Sequence, residues 1–263
     1  MLGCGWLGLP LAIHLKDSGY TVSGTTTSKE KISVLDNKGI VPYTISISEQ
    51  EIKGPIDSFL TAISILIINI PPGLRGKGPK ESYVAKIKLL HAAIKKAKLK
   101  KIIFVSSTSV YGDAEGIVTE ETSPKPSTAS GTQLLQCENL LRTDTALKAT
   151  ILRFGGLIGP DRHPINQLSG RKNLDGGSAP INLIHQNDCI GIITAIIKNG
   201  HWNSTLNGVY PNHPTKQRYY TNEALKRNVA PPEYTLTHNK NHKVIATCNP
   251  FLINSYEFLT PIN

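Results

Sequence analysis

Three glycines near the start of the chain occupy the first, third and sixth positions of residues 3–8, with Trp6 and Leu7 before the last of them. Glycine at these positions permits a tight turn, close approach of the backbone to a diphosphate, and packing of the next helix on a sheet. The amides that begin such a helix face the anion, together with the positive end of the helix dipole. The segment therefore predicts a pyrophosphate site for NAD or NADP, built by Gly3, Gly5, Trp6, Leu7 and Gly8.

A second group of polar residues follows about 20 positions later, where NAD-binding proteins usually carry an acidic residue for the adenosine ribose. Here Thr25, Thr26 and Thr27 occupy that place, and Lys29 comes two residues after them. Hydroxyls with a nearby ammonium suit a 2′-phosphate, and we expect no carboxylate to repel it. The pattern favours NADP over NAD. The alternative is an ordinary threonine-rich turn beside a solvated lysine.

Three further blocks combine polar and glycine-rich segments. They read VSSTSVYG at 105–112, LRFGGLIGP at 152–160 and NLIHQND at 182–188. In this order, and with the glycine turn before them, they resemble the NAD(P)-dependent epimerase/dehydratase branch of the extended short-chain dehydrogenase/reductase superfamily. The resemblance covers nearly the whole chain. It implies a Rossmann domain, a C-terminal substrate lobe and a ligand cleft between them.

The resemblance also implies roles for individual residues. Ser107 would orient a substrate hydroxyl, Pro71 and Ser106 would line the cofactor, and Arg153 and His185 would lie on the substrate side. Since Thr108 follows Ser107 where dehydratases carry aspartate, sugar-nucleotide dehydration is not expected. The expected substrate is a small molecule such as a nucleotide sugar, whose diphosphate could be bound by arginines, while exposed arginines in such loops are also commonly just solvated. The basic candidates are Arg153, Arg162, Arg171 and Lys172.

The family's Tyr-x-x-x-Lys pair is missing from its usual place, where Ser130 and Leu134 stand instead, and none of the nine tyrosines has lysine four residues later. Serine has no useful acidity near neutral pH and leucine carries no charge. Tyr111 is one candidate for a replacement acid, and Tyr83 and His185 are others, although packing explains each as well. The alternatives are an oxidoreductase or epimerase with a different acid, and a non-catalytic regulator that senses NADP.

The elements that must position these residues alternate in type. Val- and Ile-rich segments at 21–24, 63–70, 101–106 and 150–154 predict strands, and amphipathic patterns at 9–18, 57–62, 81–97, 131–142 and 184–197 predict helices. This alternation is typical of an α/β fold with a doubly wound parallel sheet. We predict a Rossmann domain over 1–155 and a small substrate lobe over 156–263, with helix 184–197 packing back on the Rossmann domain. Only two residues precede the turn, so the first strand is very short or the native chain begins upstream.

Composition narrows the class of protein further. Net charge is +10, yet seven lysines lie within residues 86–101, on or just beyond the predicted helix 81–97, where they form the solvated face. Nucleic-acid binding is therefore not expected. The four cysteines share no metal-ligand spacing, and no metal site is predicted. No apolar run is long enough to span a membrane and no export signal is visible, so we expect a cytoplasmic protein. Dimers of the family often form through the helices that correspond to 81–97 and 131–142. The lysines of the first helix would oppose such a contact, so the sequence leaves both a monomer and a homodimer open.

Overall fold

The computed structural model describes residues 1–74, 80–235 and 243–262. The helices are α1 Gly8–Asp17, α2 Glu30–Asn37, α3 Ile56–Thr61, α4 Tyr83–Lys96, α5 Ala129–Thr143, α6 Ile165–Leu168, α7 Gln186–Asn199, α8 Lys216–Lys226 and α9 Pro250–Ser255. The strands are β1 Ser23–Thr26, β2 Val41–Thr44, β3 Ser46–Ile47, β4 Ile52–Lys53, β5 Ile65–Ile68, β6 Lys101–Ser107, β7 Gly116–Val118, β8 Lys148–Phe154, β9 Gly156–Ile158, β10 Leu183–His185, β11 Thr205–Gly208 and β12 Lys243–Ile245. A 3₁₀ turn spans Thr108–Tyr111.

The central sheet is parallel and is joined at its middle by the first residues of the chain. Strands β5, β6, β8 and β11 pair in the order β11-β8-β6-β5, and β1 pairs with β2. Leu2 N donates to Ile67 O on one side, and Cys4 N donates to Thr25 O on the other, at 2.9 and 3.0 Å. Residues 1–4 therefore take the place of a short first strand, and the glycine turn emerges from the sheet centre. The α/β fold with a parallel sheet is confirmed.

Helices cover both faces of this sheet because each carries one apolar stripe. On one face α4 buries Ile87 and Leu90 against Leu134 and Leu141 of α5. On the other, α1 and α7 share a second core, which contains Leu11. Helix α7 thus lies against the same sheet as the glycine turn, although it comes after residue 155. The predicted division of the chain at 155 stays a prediction.

Most predicted elements differ from the structure by one or two residues at an end, and two of these differences affect the site. The strand predicted at 21–24 lies at Ser23–Thr26, because its pairing with β2 runs from Ser23 to Thr26 and buries both β-branched threonines. The helix predicted from residue 184 begins at Gln186, because the residues before it pair in parallel with β9. The shift at β1 places Thr25 and Thr26 in the sheet. The basic, glycine-rich segment 73–80 predicts a loop, and residues 75–79 of that segment lie outside the described residues.

The rest of the chain forms shorter elements beyond the carboxyl ends of the main strands. Strand β12 pairs with β7, which returns the C-terminal segment to the region after β6. A third small core joins Ile165, Tyr219 and Tyr220 with the chain end at Ile262. Within the described ranges, no helix has the length and apolar character needed to cross a membrane.

Candidate functional site

The glycine turn forms a backbone cradle at the middle of the sheet edge. Gly3 adopts φ of +97°, which favours glycine, and a Cβ at Gly8 would lie 2.0 Å from Gly3 O. A Cβ at Gly5 would meet no atom within 4 Å, so the turn opens there to solvent. Two of the three glycines are thus required by the fold itself. The third leaves space that a ligand can use.

The amides that follow the turn point to an anion. Leu7 precedes α1 without a side-chain cap, and the first turn of α1 contains no acidic residue. Helix N-termini without a cap are natural anion sites, since several N–H groups and the positive dipole end converge there. Thr25 Oγ1 accepts from Gly3 N at 3.0 Å, and Asn69 Nδ2 donates to Gly3 O at 3.3 Å. Thr25 therefore supports the turn, and Asn69 is a supporting residue that sequence reasoning missed.

A cleft of about 510 Å³ runs from this turn along the ends of β1 and β5. The short hairpin β3–β4 and the start of the segment before α4 close its far side. The cleft brings together the predicted residues Gly3, Gly5, Thr25, Thr26, Thr27 and Pro71. Lys29 is exposed outside this lining, and Lys31 takes part in it instead. The predicted residues Trp6, Leu7, Gly8 and Ser106 also lie outside the lining. The volume lies in the range of small-molecule and cofactor sites.

The turn after β1, next to the cleft, holds a carboxylate as well as hydroxyls. Thr26 Oγ1 accepts from Ser28 N at 3.1 Å, and Ser28 Oγ donates to the carboxylate of Glu30. That hydrogen bond lowers the pKa of Glu30, so the group is charged near neutral pH. The expectation that no carboxylate approaches this turn is therefore wrong. Glu30 was overlooked although it directly follows Lys29, because the sequence does not show that Ser28, two residues earlier, donates to its carboxylate.

A second polar region, the buried polar network, lies at the ends of β6, β8 and β11. Ser106 Oγ donates to Glu138 Oε1 at 2.5 Å, and Arg153 Nη2 donates to Glu138 Oε2 at 2.6 Å. Arg153 Nη1 donates to the Tyr111 hydroxyl at 2.8 Å, which in turn donates to Asn207 Oδ1 at 2.9 Å. All five residues are buried. Ser106, Tyr111 and Arg153 are therefore committed to one another, to Glu138 and to Asn207.

Two charged residues, Arg153 and Glu120, act on Tyr111, and the network reaches the C-terminal segment. Burial raises the pKa of Tyr111, while the Arg153 guanidinium opposes that shift, so the phenol is neutral at physiological pH. Glu120 accepts from the backbone amides of Asn207 and Cys248, at 2.7 and 2.8 Å. Since Glu120 comes from the loop after β7, it ties the end of the chain to the sheet edge.

The remaining predicted catalytic residues lie near the network without joining it. Ser107 is half-buried, and its Oγ accepts from Ser109 N at 3.1 Å, which caps the 3₁₀ turn and leaves the hydroxyl proton available. Ser130 lies in the first turn of α5, and Leu134 is buried in the core under α4 and α5. Tyr83 is fully buried, and its hydroxyl donates to Ile70 O at 2.8 Å. Tyr83 is thus a core residue in this arrangement.

His185 lies where β10 meets α7, and its Nδ1 accepts from Asn187 N at 3.1 Å as the cap of that helix. Burial lowers its pKa, and Asp188 opposes the shift. Asp188 is fully buried, and its carboxylate accepts from Tyr256 Oη at 2.9 Å and from Leu259 N at 2.6 Å. Asp188 therefore anchors the C-terminal segment, a role that its place in the sequence did not indicate.

Known proteins are similar to this chain over most of its length. The sequence profile of the "NAD dependent epimerase/dehydratase family" matches residues 3–200. "Protein YeeZ" of Escherichia coli K12 is 33% identical over 236 residues, which cover 89% of this chain and 85% of the relative. UDP-glucose 4-epimerase of Yersinia pestis is 30% identical over 200 residues, 69% of this chain and 57% of that enzyme. A UDP-glucuronic acid 4-epimerase of Bacillus cereus, solved in complex with NAD, superposes with a TM-score of 0.79 at 20% identity, covering 99% of this chain and 91% of that one.

Proposed function

The chain belongs to the NAD dependent epimerase/dehydratase family, and we propose that it binds a nicotinamide dinucleotide in the cleft and acts on a nucleotide sugar. The observation that carries the proposal is the cradle: Gly3 and Gly8 are required by the backbone, whereas the position of a Cβ on Gly5 is open. An open glycine between two structurally required ones is the arrangement that lets a diphosphate approach backbone amides. A purely structural turn would not need glycine there.

Residues of the turn and of the strand ends would hold the two halves of the cofactor. The amides around Trp6 and Leu7, at the uncapped start of α1, would bind the pyrophosphate. Pro71, which lines the cleft, would lie along the path towards the nicotinamide. When bound, such a cofactor supplies a hydride acceptor or donor. The chain itself would bind and orient it.

The proposed form of the cofactor is NADP, as the residues after β1 favour. Thr26 and Thr27 offer hydroxyls, and Lys31 offers a cation beside the same stretch of the cleft. Glu30 works against a 2′-phosphate, but its carboxylate already accepts the Ser28 hydroxyl and is fully exposed, so solvent screens its charge. Relatives of known structure bind NAD, as the Bacillus cereus enzyme does. A comparison of NADH with NADPH therefore tests this choice directly.

The proposed substrate is a nucleotide sugar with Ser107 as its hydroxyl-orienting residue. Ser107 sits at the end of β6 with its oxygen fixed by Ser109 N and its proton free to donate. UDP-glucose 4-epimerase of Yersinia pestis is the relative whose printed activity motivates this class of substrate. His185, half-buried at the start of α7, is the proposed residue on the substrate side.

A second candidate function is dinucleotide binding without turnover. It is favoured by one observation, that the Tyr111 hydroxyl is held between Arg153 and Asn207 with no exposed surface. A phenol bound in this way cannot pass a proton to a substrate unless the network opens. The protein would then respond to cofactor occupancy.

The experiment titrates purified protein with NADPH and with NADH, and then incubates it with UDP-sugars in the presence of each oxidised and reduced cofactor. We expect NADPH to bind more tightly than NADH. We expect the absorbance at 340 nm, or the sugar configuration followed by NMR, to change with a UDP-sugar. Binding without any change across the sugars favours the second candidate. No binding of either dinucleotide overturns both, provided that circular dichroism shows a folded protein.

A further inference from the structure

An arginine from the far half of the chain lies against the glycine turn. The Arg162 guanidinium carbon lies 5.1 Å from the centre of the Trp6 ring, and Trp6 is the residue between Gly5 and Leu7. The backbone of Trp6 belongs to the proposed pyrophosphate cradle, while its indole ring contacts the guanidinium of Arg162. From this juxtaposition, and resting on the proposed function, we infer that Arg162 is a binding residue for the diphosphate held at residues 3–8.

The loop that carries Arg162 is fixed on the turn by specific contacts. Gly159 N donates to Arg162 O at 2.8 Å, and Arg162 N donates back to Gly159 O at 3.2 Å, which closes a tight turn. A Cβ on Gly159 would lie 2.7 Å from Trp6 Cζ2, so only glycine lets the loop approach the indole this closely. Gln186 Nε2 donates to Trp6 O at 2.7 Å from α7. Two elements thus position one side of the cradle.

The guanidinium of Arg162 has no carboxylate within ion-pair distance among the described residues. The Arg162 side chain is exposed. Arg153 provides the contrast, since its guanidinium is buried and paired with Glu138. A guanidinium that stacks on an indole keeps its N–H edges free to donate in plane, which is the geometry for bidentate binding of phosphate oxygens. Of these two arginines, Arg162 is the one free to bind an anion.

The diphosphate could come from the dinucleotide or from a nucleotide-sugar substrate. We assign it to the dinucleotide, because Trp6 is part of the turn that would bind the pyrophosphate. Two soluble probes separate the sources: ADP-ribose carries the cofactor's adenosine and diphosphate, and UDP carries the diphosphate of a uridine sugar. Neither probe requires turnover, so the test does not depend on activity.

The experiment measures dissociation constants of ADP-ribose and of UDP by calorimetry for the wild type, Arg162→Gln, Arg162→Lys and the control Arg218→Gln. Arg218 is an exposed arginine on α8. We expect Arg162→Gln to weaken ADP-ribose binding about tenfold, because charge-assisted hydrogen bonds are lost. Arg162→Lys should weaken ADP-ribose binding less, and Arg218→Gln should leave it unchanged. The affinity for UDP should be the same in all variants.

A second readout uses the two tryptophans of the chain, Trp6 and Trp202. In a Trp202→Phe background, ADP-ribose should change the emission of Trp6, and Arg162→Gln should shift the concentration at half-effect to the same extent as in calorimetry. Equal ADP-ribose affinities of wild type and Arg162→Gln would overturn the inference and leave Arg162 as a cover of the indole. Weakening of UDP alone would move the diphosphate to the substrate and overturn the assignment to the dinucleotide. A wild type that binds no dinucleotide or ADP-ribose contradicts the proposed function itself.

Discussion

The glycine turn and the buried polar network lie at the same edge of one parallel sheet, but they differ in how their polar groups are satisfied. At the turn, the amides before α1 have no side-chain cap and Gly5 leaves open space. In the network, Ser106, Glu138, Arg153, Tyr111 and Asn207 satisfy one another out of contact with solvent. Polar groups that the fold leaves open can bind a ligand, whereas buried groups must be paired because desolvation is costly. The comparison indicates binding at the first region and stability at the second.

The largest effect should come from removing one charge of the network. Arg153→Met leaves the Glu138 carboxylate buried without its partner, and we expect the free energy of unfolding to fall by about 3–5 kcal/mol. The matched control is Lys53→Met, which removes an exposed lysine paired with Glu51 at 3.1 Å and should cost less than about 1 kcal/mol. Urea unfolding measures both. Equal small losses would mean that the network is not a stabilising unit.

A pH-dependent effect should follow from a second buried polar group, His163. Its Nε2 lies 3.0 Å from Tyr219 Oη and its Nδ1 accepts from Ile165 N at 3.2 Å. Burial, with smaller effects of nearby basic residues, lowers its pKa to about 4 against the opposing Glu223 carboxylate. The unfolded chain gains a proton here below its ordinary pKa of about 6.5, whereas the folded chain gains it only near 4. Stability is therefore complete above that unfolded value and is lost as pH falls.

The size of that loss is about 2 kcal/mol between pH 7 and pH 5. It is measured as the difference in urea unfolding free energy at the two values. His163→Gln should lose less over the same interval, whereas His14→Gln, which changes an exposed histidine on α1, should behave as the wild type does. Parallel curves for the wild type and His163→Gln would show that this imidazole does not contribute.

The glycine turn should show the reverse behaviour, with binding lost and stability kept. Gly5→Ala places a methyl group in open space, so the free energy of unfolding should change by less than about 0.5 kcal/mol. The same methyl group occupies the approach to the amides, and affinity for NADPH should fall at least about tenfold. Fluorescence titration and urea unfolding of one preparation give both values. Unchanged affinity would remove the basis of the proposed cofactor site.

The smallest effect should come from Tyr111→Phe, which keeps the ring and deletes the hydroxyl. Arg153 loses one acceptor and Asn207 loses one donor, so the cost to stability should be about 1 kcal/mol. Affinity for NADPH should not change. If a UDP-sugar is turned over, the rate should fall only as far as the fraction of folded protein falls. A rate loss of a hundredfold with a stable protein would instead make Tyr111 the replacement acid.

Much of the first half of the chain was predictable from residue order because its signals are local. Glycine spacing at 3–8, the apolar stripe of α4 and the buried run of β5 each specify their element within a few residues. The strand after α1 was displaced by two residues because its limits depend on pairing with β2. Pairing partners are not visible in a single segment, so Thr25 and Thr26 were expected after the end of the strand and not within it.

The sites that were missed are made by residues that come together only in the fold. Asn69 reaches Gly3 across 66 positions, and Arg153 reaches Tyr111 across 42. Nothing in the sequence near Arg153 indicated that Glu138 would neutralise it, so it was expected to face a substrate. Exposure and pairing of a charged residue are properties of its three-dimensional neighbours.

What the sequence determined by itself is the backbone chemistry of the turn and the alternation of strands and helices, since both follow from local conformational preference and hydrophobic period. Only the tertiary structure decided which charges are free. It buried Arg153 against Glu138 and left Arg162 on the ring of Trp6. The physical reason is that a charge is neutralised or exposed according to what packs around it, and the sheet edge collects groups from strands far apart in the chain.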